Sequence, residues 1–366
     1  MQLIDNLPDN LADCRYCSQV SKAKGVDPIG SAPKVDYWML VEVAQPWPLA
    51  MFAENPMIGQ MFSLVKQLVF RRGVMVRPIA IAPDPEYSTP GFTRIIYYRR
   101  PAQQFAKYLK EEYVVPEDQA NALVLGLLNR LLGKETTVTP FHSYQQDTQH
   151  LREMLVCTHT QVDLACGRFG TPIYRQLRQQ SDQSNLRIWQ STHFGGHQFA
   201  PTLIDLPTGQ FWGHLELEDL PQLIQRNGDH RQLKQLYRGW SGGTKFEQIA
   251  ERAVWMEIGW DWLTYPKKAR TYQKKLTGIQ RLLYPLLRYI PIKLLQLWLD
   301  RWTRNATGAK VEMVYKNRHH TQERYQVTIA EAGKLITATN SVKTPKDSIE
   351  TSEAQQYQIT QLKKID

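Results

Sequence analysis

The sequence predicts an α/β protein, on three observations. Between residues 36 and 240, short apolar runs with strand character alternate with helically periodic stretches. The chain has 366 residues, beyond the ~250–300 at which a single core usually stops growing, so more than one unit is expected. A strongly basic helical stretch then separates this region from a strand-rich end. The expected organisation is an irregular lead-in (1–35), an amino-terminal α/β unit (36–148), a second α/β unit (149–240), a helical basic segment (241–310) and a β-rich tail (311–366).

In the first unit, YWMLVEV (37–43) reads as a buried strand and Gly59–Arg72 as an amphipathic helix through Met61, Phe62, Val65, Leu68 and Val69. Strands are expected at Val74–Ala82 and Phe92–Tyr98, and helices at Ala102–Tyr113 and Glu117–Leu132. In the second unit Met154–Cys157 is a strand, and Thr158–Gly170 reads as a loop containing Cys166. A helix then starts at Pro172, since proline is well tolerated in a first turn. Leu186–Gln190 is a strand, and Thr202–Leu206 and Phe211–Leu215 form a hairpin around a Pro-Thr-Gly turn. Glu218–Arg226 closes the unit as a helix. The order β-loop-α-β-β-β-α is that of a thioredoxin-like domain, so the fold class expected is two thioredoxin-like α/β units in tandem. Farther on, a helix is expected around Phe246–Trp255 and strands at Val311–Tyr315, Tyr325–Ile329 and Leu335–Thr339, with a mobile polar run from Asn340 to Gln356.

Composition narrows the function. Net charge is +10, but eleven Lys/Arg against two Asp fall between Asp261 and Lys310, so the excess belongs to one segment and nucleic-acid binding by the main body is poorly motivated. The start, MQLIDNLPDNLADC, lacks a basic region followed by an apolar run, and no window reaches ~18 uninterrupted apolar residues. A cytoplasmic location is therefore expected. The four cysteines, Cys14, Cys17, Cys157 and Cys166, are too few for a disulfide framework in a chain this long and read better as ligands or redox groups.

The chemistry concentrates in two stretches, CTHTQVDLAC (157–166) and STHFGGHQFAPTL (191–203). Two adjacent glycines cost roughly 1 kcal/mol each inside a helix, so the second stretch is expected to be a shaped loop holding His193 and His197. In a thioredoxin-like arrangement that loop, with a cis Ala200–Pro201 peptide, would face the loop after the first strand. Cys157, Cys166, His193 and His197 would then form a Cys2His2 metal site. Structural zinc sites typically space their cysteines by two to four residues, whereas eight separate these two, a loop wide enough for more than one ion. A [2Fe-2S] cluster with two histidines replacing two cysteines has Rieske-like ligation, with a raised potential that should depend on pH. Gly195 and Gly196 would let the backbone pass close to it.

These two stretches, together with IGSAPKVDYWMLVEVAQPWP (29–48), resemble the sucrase/ferredoxin-like family of thioredoxin-like ferredoxins over roughly residues 10–255. The resemblance implies electron transfer with redox partner proteins and one [2Fe-2S] cluster on Cys157, Cys166, His193 and His197. By analogy with Rieske centres, the cysteines would take one iron and the histidines the other.

Other readings stay open. The same four residues could hold Zn2+ in a metal-stapled binding protein, or Cys157 and Cys166 could act as a catalytic dithiol. Cys14 and Cys17 precede the first strand and read as structural; the rival is a four-thiolate site with Cys157 and Cys166. His142, His159 and His214 are candidate partners for ligating imidazoles, and Arg168 a candidate charge near the centre. Nothing in the order of Asp and Glu singles out a glycosidase carboxylate pair. The segment LTGIQRLLYPLLRYIPIKLLQLWLDRW (276–302), broken by Pro285 and Pro291, could lie on an anionic membrane, dock a partner or pack over its own core.

Overall fold

The computed structural model describes residues 15–50, 56–181, 185–342 and 349–365. Cys14 lies outside them, as does much of the lead-in. The fold is mixed α/β, built on a ten-stranded sheet of order β10-β9-β8-β6-β7-β2-β1-β3-β4-β5. Its strands are β1 (Tyr37–Glu42), β2 (Val76–Ile81), β3 (Phe92–Arg99), β4 (Leu109–Pro116), β5 (Gln145–Gln146), β6 (Arg152–Cys157), β7 (Leu186–Ser191), β8 (Leu203–Leu206), β9 (Gln210–Trp212) and β10 (Tyr237–Trp240).

The two halves of this sheet pair in the same pattern. β1 lies parallel to β2 and antiparallel to β3, which pairs antiparallel with β4. β6 lies parallel to β7 and antiparallel to β8, which pairs antiparallel with β9. A helix makes each parallel crossover, α2 (Pro56–Arg72) in the first half and α4 (Leu164–Gln180) in the second, while α1 (Cys17–Ala23), α3 (Ala120–Leu131) and α5 (Leu220–Gln225) lie outside the crossovers. The halves do not keep separate sheets: β2 and β7 meet edge to edge at Ile81 and Ser191, and Thr192 N–H donates to the Ala80 carbonyl at 2.9 Å. One apolar core, with Trp38, Ile81, Leu155, Trp189 and Phe211, spans the join.

Charge stitches the halves as well. Arg187 on β7 reaches Glu112 of β4 at 2.5 Å and Glu153 of β6 at 3.1 Å, and Lys110 lies 2.7 Å from Glu153. All four are buried. The paired cations outweigh the burial that opposes ionisation of Glu112 and hold its carboxyl far below the usual range.

Several segments differ from the sequence reading. Residues 109–113 belong to strand β4 rather than to a helix, because the inward positions Lys110 and Glu112 are charged and hide the apolar alternation of a strand. The helix after β6 starts at Leu164, not at Pro172. Asp163 caps it by accepting from Ala165 N–H at 2.8 Å, so Cys166 sits in the first helical turn and Pro172 inside the helix. The two strands expected at 325–329 and 335–339 are one bulged strand, β13 (Gln322–Ala338).

Beyond β10, helix α6 (Lys245–Ile258) carries a four-stranded antiparallel sheet in the order β11 (Lys267–Lys275), β12 (Gly308–Lys316), β13, β14 (Thr351–Ile365). Phe246, Ile249, Val254 and Trp255 of α6 share a core with Val311, Met313, Val327 and Ile329 of β12 and β13. The segment expected to be helical contributes β11 (Lys267–Lys275), followed by α7 (Gly278–Leu287), α8 (Lys293–Trp302) and β12 (Gly308–Lys316). β14 (Thr351–Ile365) takes up residues 351–356 of the run expected to be mobile, and 343–348 lie outside the described residues. Among the described residues no helix is long and apolar enough to cross a membrane.

Arg187→Met should destabilise the fold by about 3–5 kcal/mol, because Glu112 and Glu153 would stay buried with much of their positive charge gone. Urea unfolding at neutral pH reads this as a lowered midpoint.

Candidate metal centre

The parallel register of β6 and β7 sets Cys157 opposite Ser191, so the chain leaving β7 passes over the end of β6. His193 is the second residue of that exit. Its Nδ1 lies 3.7 Å from Cys157 Sγ and 3.6 Å from Cys166 Sγ. Phe194 is fully buried against Phe211, with ring centroids 5.8 Å apart, and burial of such a side chain stabilises by about 2–3 kcal/mol, which pins the loop. The helix bearing Cys166 can approach because residue 170 is glycine: a Cβ there would stand 2.1 Å from the Cys157 carbonyl oxygen.

The loop then turns through Gly196, at φ +83°, where a Cβ would meet the Arg238 guanidinium at 2.1 Å. Beyond it His197 opens a short 3-10 turn, and Ala200–Pro201 is cis as the sequence suggests. The His193 and His197 rings lie 5.5 Å apart.

Two groups of donors result. The ligand atoms of Cys157, Cys166 and His193 lie within 4.8 Å of one another, and so do those of Cys17, Asp163 and His197. The four residues singled out in the sequence are therefore neighbours, but the His197 Nδ1 faces Cys17 Sγ at 3.4 Å and Asp163 Oδ2 at 3.3 Å. Asp163 is fixed from far along the chain: Ser341 donates its N–H to Oδ2 at 2.9 Å and its hydroxyl to Oδ1 at 2.6 Å.

Charge in the centre is uneven. Burial opposes ionisation of Cys157, but hydrogen bonds from Cys166 and His193 hold its thiol well below the ordinary range. Cys166, with its proton committed to Cys157 and its sulfur buried, is pushed far up. Burial also pushes the Cys17 thiol up to about 12. It acts the same way on Asp163, but hydrogen bonds with His197 and Ser341 overcome it and hold the carboxyl well below the usual range. The buried Arg238, lowered to about 10 by desolvation, faces the readily ionised sulfur of Cys157 and donates to the Gly195 carbonyl at 2.9 Å.

The remaining candidates fall into place or out of it. His159 accepts at Nδ1 from the His193 N–H at 3.4 Å and bonds the Trp47 carbonyl at 2.7 Å, so it supports the loop. His214 is buried against Phe199. His142 is exposed on the segment leading into β5, the far edge of the sheet, and Arg168 is exposed. Cys17, read from the sequence as structural with a four-thiolate site as the rival, stands beside His197 and Asp163; Asp163, Ser341 and Arg238 escape the sequence reading, and only Asp163 leaves a local trace, as an N-cap type ahead of a helix. A cavity of about 400 Å³, largely apolar and including Met61, Phe62 and Val65, opens beside His193.

With this geometry in hand, comparison with known proteins is decisive at one level. A family model described as sucrase/ferredoxin-like matches residues 28–239, more than half of the chain. The chain belongs to the sucrase/ferredoxin-like family. A curated relative, altered inheritance of mitochondria protein 32 of Clavispora lusitaniae, is 23% identical over 135 residues, 35% of this chain and 50% of that protein. The chain thus spans about half the length of the curated relative it matches. A solved thioredoxin-like [2Fe-2S] ferredoxin from Aquifex aeolicus aligns with 21% of this chain and 80% of its own, at 17% identity and a TM-score of 0.19. The family match contains Cys157, Cys166, His193, His197, Asp163 and Arg238, and leaves Cys17 and Ser341 outside.

Burial also sets a pH response. Desolvation, reinforced by Lys22 and Arg238, lowers the His214 pKa to about 3, against about 6.5 in an unfolded chain. Below pH 6.5 the unfolded chain gains a proton that folded His214 refuses, so stability falls as pH drops from about 6.5 toward 3. Asn tolerates the left-handed backbone His214 adopts, at φ 55°, so His214→Asn should flatten that slope in urea midpoints measured across the window.

Proposed function

We propose that the protein transfers electrons through one [2Fe-2S] cluster held by Cys157, Cys166, His193 and His197. The observation that carries this reading is the convergence of two buried thiols and the His193 Nδ1 within 4.8 Å, with a second imidazole ring 5.5 Å from the first. The donor set fits such a cluster: two sulfurs and two imidazoles are the ligand types of Rieske-like ligation. When bound, the cluster would accept one electron and release it.

The chain's own groups have separable roles in this reading. Cys157 and Cys166 supply sulfur from inside the core, where one proton is already weakly held. Asp163 engages the His197 Nδ1 and fixes the ring, as ligating imidazoles are usually held by a carboxylate. Arg238 places positive charge beneath the glycine turn and favours negative charge at the sulfurs. The sulfurs are buried while both imidazoles are half-buried, so a redox partner protein would meet the histidine side. Membership of the sucrase/ferredoxin-like family supports the same assignment.

Metal and sulfide analysis of anaerobically purified full-length protein tests the proposal. The expected result is a brown protein with about two irons and two acid-labile sulfides per chain. Cys157→Ser, Cys166→Ser, His193→Ala and His197→Ala should each lower the cluster content, whereas Cys17→Ser should retain it. A colourless protein with stoichiometric zinc would overturn the reading in favour of a metal-stapled binding protein.

A further inference from the structure

Helices α7 and α8 are inserted between the paired strands β11 and β12, outside the residues the family model matches. α8 buries Leu299, but on α7 the amphipathic pattern is turned inside out. On α7, Ile279, Leu282, Leu283 and Leu286 recur at the i, i+3, i+4, i+7 spacing of a helix stripe that normally faces a core, yet Leu282 and Leu286 are each 72% exposed and Ile279 is 64% exposed. No residue of α7 is buried. Exposed Ile292 and Trp298 add apolar surface beside the break at Pro291 and on α8.

Polar side chains do the inward work instead. Gln280 donates to the Trp302 carbonyl at 2.9 Å, Gln296 to the Ile290 carbonyl at 2.8 Å, and Arg288 to the Tyr272 carbonyl at 3.3 Å. Packing over the protein's own core therefore does not account for the leucines. Water does not account for them either, since contiguous exposed apolar patches mark interaction surfaces.

Charge identifies the occupant. Exposed Lys268, Arg270, Lys275, Arg281, Arg301 and Arg304 accompany the stripe. Between Trp262 and Lys310 the sole acid is Asp300, which lies 3.1 Å from Lys274 Nζ. A second copy of this face would set like charge against like charge. A surface that is negative outside and apolar just beneath matches both features at once.

We propose that α7 and α8 form a docking platform that lies flat on an anionic lipid bilayer, with the leucine stripe in the headgroup–acyl boundary and the basic residues against the headgroups. This platform does not depend on what the metal centre holds.

Flotation of the full-length protein with vesicles tests it, using phosphatidylcholine alone or with roughly one-third phosphatidylglycerol. Binding is expected to the anionic vesicles at about 0.1 M salt and to be weakened at about 1 M. Leu282→Glu with Leu286→Glu should reduce that binding by about tenfold or more while leaving far-UV circular dichroism unchanged, because neither side chain is packed. Arg281→Glu with Arg301→Glu should reduce it through charge alone and gives a second readout if the leucine variant misfolds. Failure of the wild type to float with anionic vesicles, or flotation of both double variants equal to that of the wild type, would overturn the proposal. So would a lipid-free dimer that the leucine variant abolishes, which would assign the face to a second copy.

Discussion

The constraint on which the rest depends is the parallel pairing of β6 and β7 in a register that sets Cys157 against Ser191. Because side chains alternate along a strand, a slip of one residue would turn Cys157 to the opposite face and carry the β7 exit away from it. With the register fixed, His193 reaches both sulfurs without any long loop having to be ordered. The short crossover through α4 does the same for Cys166, since the Asp163 cap decides where the helix begins and so which face the thiol takes.

The centre lies where the two halves of the sheet join. Ser191, which opposes Cys157, also pairs with Ile81 of β2, so the half-sheet that carries no candidate ligand forms one wall of the site. The Arg187, Lys110, Glu112 and Glu153 cluster ties the same two halves through buried charge. Such a cluster is poor evidence for net stability, but it is intolerant of losing a member and so helps to specify one arrangement of the halves. The apolar core around Trp38 and Trp189 is shared for the same reason.

Much of this was legible in the sequence, and the gaps have physical causes. The strands of the second unit, the cis peptide before Pro201 and the meeting of the cysteine and histidine stretches follow from local pattern and from the family resemblance. Strand β4 was hidden because its inward Lys110 and Glu112 are satisfied by distant charges, which no local periodicity encodes. Cys17 and Ser341 were hidden as neighbours of His197 and Asp163 because the contacts join residues about 180 positions apart or more. Arg238 carries no motif; its place emerges only when β10 stacks beside β9 and its guanidinium comes to lie under Gly196. The exposure of α7 was undecidable from an amphipathic pattern, which is the same whether a helix faces a core or a foreign surface.

The bonds from Ser341 to Asp163 change what counts as the periphery of this molecule. A residue three positions past the end of the outer sheet's longest strand, outside the family's matched region, steadies the carboxylate beside His197. Trimming the chain back to its recognisable core would therefore not yield a smaller copy of the same centre. It would leave one imidazole with a looser counterpart, so an appendage outside the matched region is mechanically part of the arrangement around His197.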